Sequence, residues 1–299
     1  MKHKLSVSCL HLYDPKRLAL DLRLIREAGF DGVDMDMASQ PARELLNRPD
    51  ALSAARRIRK QVEDAGLELL QGHAPYNPYS PDHPDRAQAV REDMLRCIPF
   101  AAELGVPYAV FHPVRPVRSS DPLLEDRERL FDMNVALYER IVRECAGTGV
   151  VPCTENLFVR NAENNDLCGP GYTSDPAELN AVMDAVPGLM LCFDIGHALL
   201  SGREPAELVR AFGDRLRITH LHNNNHLCDL HVSPFELKTG HWQSFCDALG
   251  EIGYAGTVNL EVLWEEMPVP VLPAMYRFLH DSAALIDRMT REKVDLQAL

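Results

Sequence analysis

VREDMLRCIPFAAELGVPYAVFHP, residues 90–113, carries one complete structural phrase. Val90, Met94, Cys97, Ala101 and Leu104 recur at helical spacing, so one face of this segment is apolar. Gly105 follows, the residue best suited to the left-handed turn that closes a helix. PYAVFHP is then a short apolar run of strand length, and it stops at a histidine. Helix, glycine turn, buried strand and polar end form one α/β unit.

The phrase repeats in both directions. Expected strands cover residues 4–10, 32–37, 67–73, 107–113, 150–156, 189–194, 217–222 and 257–262. Asp14-Pro15 and Asp175-Pro176 open helices, with aspartate as N-cap and proline at the first helical position. Gly29 closes the first of these, and Gly66 closes the next helix along the chain. Further helices are expected over residues 121–145, around Leu208, on Trp242, Phe245, Leu249 and Ile252, and over 273–291. Strands alternating with helices imply a parallel sheet, and eight strands close a (β/α)8 TIM barrel. An open doubly wound sheet would carry a glycine-rich loop after its first strand. Here HLYDP, residues 11–15, follows instead. One domain over residues 1–299 suits this fold.

The strand ends share a chemistry. His73, His112, Glu155, Asp194, His222 and Glu261 each stand at or near the C-terminal end of an expected strand. In a barrel those ends line one mouth, where active sites lie. Strand period puts Val151, Cys153 and Glu155 on one face, likewise Met190, Cys192 and Asp194, Ile218, His220 and His222, and Val110 and His112. Each polar residue thus caps a row pointing into the barrel. DIGH adds His197, and DLH adds Asp229 and His231. A single histidine at a strand end is ordinarily a hydrogen-bonding residue. Nine such groups on one rim are costly to bury without a cation. Nitrogen and carboxylate donors suit zinc or manganese. One to three ions are expected. His220, deeper on its strand, is read as supporting a ligand or filling the core. His3, His11, His83, His226, His241 and His280 are read as surface or helix residues.

Charge narrows the partners. The chain has a formal charge of -13 and a pI near 5.4. Binding to nucleic acid through phosphate neutralisation favours a basic face, so that class is disfavoured. Residues 38–50 and 75–86, expected near the mouth, lack a basic run. Tyr76 and Tyr79 are placed to stack on a ligand or to pack their loop, and Arg115 and Arg118 to hold a phosphate or face solvent. No secretory leader or membrane span is legible. Eight scattered cysteines without a C-x-x-C pair suit a reducing cytoplasm. No surface stripe defines an interface, and a homo-oligomer is compatible with the sequence.

HAPYN (73–77), FHP (111–113), TEN (154–156), FDIGHALLSG (193–202), HLHNNNHLCDLH (220–231), GHW (240–242) and NLEV (259–262) together resemble the xylose isomerase-like barrel superfamily. That superfamily includes sugar-phosphate isomerases and epimerases and the endonuclease IV type of apurinic-site nuclease. Resemblance to the isomerases implies one divalent ion on Glu155, Asp194, His222 and Glu261. The two glutamates would shuttle a proton beside a carbonyl of a sugar, sugar phosphate or polyol derivative, and His197 would bind a hydroxyl. Resemblance to the nuclease implies three zinc ions on His73, His112, Glu155, Asp194, His197, His222, Asp229, His231 and Glu261, and phosphodiester cleavage. A small carbohydrate-like substrate is the favoured expectation. The chain departs from the epimerase pattern in lacking an arginine directly after His222, which leaves the substrate contacts there undefined.

Overall fold

A computed structural model describes residues 2–164, 167–237, 240–263, 267–292 and 294. The ends of the expected 1–299 domain, residue 1 and residues 295–299, lie outside the described residues. Strands are β1 (Leu5–Cys9), β2 (Gly32–Asp36), β3 (Glu68–His73), β4 (Tyr108–Val110), β5 (Val151–Glu155), β6 (Phe158–Arg160), β7 (Cys168–Pro170), β8 (Met190–Asp194), β9 (Leu216–His220) and β10 (Val258–Leu260). Helices are α1 (Pro15–Ala28), α2 (Gln40–Leu46), α3 (Ala51–Asp64), α4 (Pro84–Leu104), α5 (Arg127–Cys145), α6 (Pro176–Ala185), α7 (Ile195–Leu200), α8 (Pro205–Phe212), α9 (His241–Glu251) and α10 (Leu272–Glu292).

Eight strands form one parallel sheet in the order β10-β1-β2-β3-β4-β5-β8-β9. The sheet closes where Leu221 N donates to Asn259 O at 2.9 Å and Glu261 N donates to Leu221 O at 3.2 Å. The (β/α)8 barrel is therefore as expected. β6 and β7 form a separate antiparallel hairpin on the loop after β5.

Local chemistry sets the boundaries. Asp14 accepts from Lys16 N and Arg17 N, Pro15 opens α1, and Gly29 ends it at φ 109°. The helix expected from residue 121 begins later. Pro122–Glu125 is a 3-10 turn, and Asp126 caps α5 by accepting from Arg129 N. No helix among the described residues is long and apolar enough to cross a membrane. No disulfide forms among them either.

The barrel interior has two halves. Val110, Cys153, Cys192 and Ile218 form an apolar plug under β4, β5, β8 and β9, the rows that strand period paired. Under β1, β2, β3 and β10 the filling is polar. Asp34 Oδ2 accepts from Ser8 Oγ at 3.1 Å and Asn259 Nδ2 at 3.1 Å, and Thr257 Oγ1 donates to Gln71 Oε1 at 2.7 Å. His3 is buried rather than superficial: its ring meets Asp287 Oδ1 at 2.7 Å and Tyr254 O at 2.9 Å. His11 is likewise partly buried, bound to Asp21 Oδ2 at 2.8 Å.

Candidate metal centre

Six strand ends deliver side chains to the mouth. His73, Glu155, Asp194 and His220 are the last residues of β3, β5, β8 and β9, and Glu261 directly follows β10. His112 and His222 lie two residues past β4 and β9, His197 sits in α7, and Asp229 and His231 come from the loop before α9. Five groups result among the described residues, within each of which the donor atoms lie within 4.8 Å of one another, and three of them take in all nine residues. Those three are His73, His112 and Glu155; then Glu155, Asp194, His220 and Glu261; then His197, His222, Asp229 and His231. All nine residues singled out from the sequence meet at one mouth.

The central group differs from expectation. His220, not His222, stands between the two glutamates. Its Nδ1 lies 2.9 Å from Glu155 Oε1 and 3.2 Å from Glu261 Oε2. The reason is register: β9 ends at His220, whose side chain turns inward. His222 pairs with Asp194 Oδ2 at 3.1 Å and stacks on His231, ring centroids 3.9 Å apart. Gly196 makes room for it, since a Cβ there would lie 1.9 Å from His222 Cε1.

The backbone fixes several rings. His73 Nδ1 meets Ala74 O at 2.8 Å, leaving Nε2 facing His112 Nε2 at 3.1 Å. His197 Nδ1 meets Asn156 O at 3.0 Å, and His231 Nδ1 meets Glu261 O at 3.1 Å. Asn156 clamps β5 to β8 by donating to Asp194 O at 2.8 Å and accepting from Asp194 N at 2.9 Å.

The Glu155 and Asp229 carboxylates are held ionised, while burial opposes protonation of His73 and His220 but the negative groups around them raise both above the ordinary histidine value. Burial pushes the Glu155 carboxyl up, but His112 and His220 outweigh it and hold the group well below its ordinary range. Asp229, also opposed by burial, is held low by His197 and His231. Burial drives His112 down to about 4, so its ring is neutral. Burial opposes protonation of His197 and His231 too, but neighbouring carboxylates raise them to about 9 and about 10. A cation is thus already favoured at that position.

The donors fit divalent metal. His112 Nδ1 and His222 Nδ1 are buried without a hydrogen-bond partner among the described residues. Each such atom costs about 1–3 kcal/mol, against a total stability of about 5–15 kcal/mol for a domain. His112 Nε2 and Glu155 Oε2 lie 2.7 Å apart. With the 3.1 Å His73–His112 spacing, this is near the edge of a coordination polyhedron with bonds of about 2 Å.

A cavity of about 390 Å³ opens over these groups, lined also by Asp36, Tyr76, Phe158 and Arg160. Tyr76 stands over the site, its ring 5.3 Å from that of His112. Tyr79 packs its loop against Leu123, Leu130 and Tyr172. Arg115 reaches the cavity, whereas Arg118 is exposed outside it. Sequence reasoning missed Asp34, Asp36, Phe158 and Arg160. The aspartates stand on the strand GVDMD, where acid alternating with apolar residues signals one polar barrel face. The three-residue strand bearing Phe158 and Arg160 is too short to show periodicity.

Comparison with known proteins follows the geometry. A solved structure of D-psicose 3-epimerase in the presence of D-fructose superposes with a TM-score of 0.69, 18% identity and coverage of 97% of this chain and 99% of that one. A D-tagatose 3-epimerase-like protein gives a TM-score of 0.67 and 21% identity over 96% and 99%. At these identities the likeness establishes the fold. The uncharacterized protein y4fM of Sinorhizobium fredii (strain NBRC 101917 / NGR234) is 27% identical over 261 residues, 80% of this chain and 79% of that protein. The xylose isomerase-like TIM barrel model matches residues 22–283, and the chain belongs to that family.

Proposed function

We propose that this protein is a divalent-metal-dependent isomerase or epimerase of a sugar, sugar phosphate or polyol derivative. One observation carries the reading: Glu155 and Glu261 both approach His220 Nδ1, at 2.9 and 3.2 Å, at the base of a small cavity. Such a cavity suits a small-molecule substrate. Glu155, Asp194, His220 and Glu261 would hold zinc or manganese. Glu261, partly open to the cavity, takes the proton from the substrate carbon, and Glu155 serves the other face. His197, anchored on Asn156 O, is placed for a substrate hydroxyl. The epimerase folds of the solved neighbours support this reading.

A second reading has its own observation. The groups His73, His112, Glu155 and His197, His222, Asp229, His231 flank the central one, so donors for three ions are present. That number suits zinc-dependent phosphodiester cleavage, as in an apurinic-site nuclease. A bound divalent ion supplies Lewis acidity, polarising a carbonyl in the first case and a phosphoryl group in the second.

The test is incubation of metal-loaded protein with ketoses and aldoses, free and phosphorylated, in D2O. Deuterium at the carbon beside the carbonyl is expected. Glu155→Gln and Glu261→Gln should each lower turnover by about 10²–10⁴-fold with the fold retained. No exchange on any sugar, together with cleavage of an aryl phosphodiester, would transfer the assignment to the second reading.

A further inference from the structure

Two arginines, Arg115 and Arg160, line the cavity, in a chain of charge -13. Arg115 comes from the loop after β4, and Arg160 ends β6 in the hairpin after β5. Backbone bonds join the two segments: Arg160 N donates to Val117 O at 2.8 Å, and Ser119 N donates to Arg160 O at 2.8 Å. Phe158 lies between the arginines and the metal-type residues. Its ring is 5.4 Å from Arg115 Cζ, 5.7 Å from Arg160 Cζ and 5.1 Å from the His197 ring. Both guanidiniums therefore sit on one stitched wall, about one aromatic ring away from His197.

Arg115 is half-buried, and its Nη1 donates to Phe158 O at 2.7 Å. A guanidinium carries five donors. No carboxylate among the described residues lies within ion-pairing distance of this one, and the carboxylates that act on it most are Asp229 and Glu155. Burial draws Arg115 down to about 10, the mark of a cation short of solvent and counter-charge.

We infer that Arg115 and Arg160 form an oxyanion subsite, so that the substrate is a polyhydroxylated compound bearing a carboxylate or phosphate group. This rests on the reading of the cavity as a carbohydrate site. A planar guanidinium matches either oxyanion with two parallel bonds. The anionic end lies against the hairpin wall, and the hydroxylated end faces His197 and the glutamates.

The experiment compares three probes of one skeleton, D-glucose, D-glucuronate and D-glucose 6-phosphate, by calorimetric titration of metal-loaded protein. At least one anion should bind about 10- to 100-fold tighter than glucose, the worth of a charge-assisted bond. An advantage confined to glucuronate assigns a carboxylate, and one confined to glucose 6-phosphate assigns a phosphate. Arg115→Met and Arg160→Met should each bring the ratio toward one, and Arg115→Lys should restore part of it. Equal binding of all three, no anion binding at millimolar concentration, or a ratio unmoved by both methionine variants overturns the subsite. The same probes in D2O separate the two proposals. Exchange on glucose without anion preference removes the subsite alone. Arginine-dependent anion binding without exchange on any probe removes the isomerase reading alone.

Discussion

His220 Nδ1 stands 2.9 Å from Glu155 Oε1, both groups being buried. Burial opposes protonation of this ring, but the negative groups around it raise it well above the ordinary histidine value, so a proton-attracting ring and an ionised carboxylate are held as neighbours at the barrel's mouth. His220→Ala should lower affinity for the first equivalent of manganese by at least about 10- to 100-fold. His222→Ala should do so less, since its ring contacts Asp194 and His231 instead. Metal titration of both variants gives the order, and the reverse order would return the central position to His222.

Asp34 lies behind that histidine. Its Oδ2 is 3.5 Å from His220 Nε2 and is fixed by Ser8 and Asn259. A carboxylate there orients the ring so that Nδ1 faces the mouth. Asp34→Asn should weaken metal binding by about 10- to 100-fold while circular dichroism stays unchanged. Unaltered metal affinity would reduce Asp34 to core filling.

Gly196 tests the third group. A methyl at this position meets the His222 ring, so the ring must move or the backbone shift. Gly196→Ala should destabilise the protein by about 1–3 kcal/mol and selectively lower binding of further equivalents after the first. Denaturant unfolding and metal titration read the two effects separately. A variant with wild-type values in both would contradict the close approach.

The opposite end of the barrel supplies a pH prediction. Burial pushes Asp287 up, but hydrogen bonds from Arg291 and His3 outweigh it and hold the carboxyl below its ordinary value of 3.8. A depressed folded-state pKa gives stability that is complete above the unfolded value and lost as pH falls through the folded one. Asp287→Asn should therefore flatten stability below about pH 4. Acid unfolding midpoints measure this; an unchanged acid limb would show that the pair contributes nothing.

The fold was legible because helix and strand periods, aspartate-proline starts and glycine stops agree along the chain. Period two on β5 and β8 even named the apolar plug beneath Glu155 and Asp194. What the sequence hides is depth. His220 and His222 share a face, and only the point where β9 ends decides which one meets Glu261. The polar half of the interior was equally hidden. Ser8, Asp34, Gln71 and Asn259 come from four strands, and their convergence depends on barrel closure. The arginine wall rests on a hairpin of three-residue strands, below the length at which alternation can be seen.

Metal content per chain, measured by elemental analysis after purification without chelator and again after reconstitution with zinc or manganese, tests the central claim most directly. At least one equivalent should be bound in the wild type and lost in Glu155→Gln, because Glu155 belongs to both the first and the central group. A single ion favours the isomerase reading and three favour the phosphodiesterase. Metal at background level after reconstitution, or an equal content in Glu155→Gln, would contradict a metal centre at this mouth.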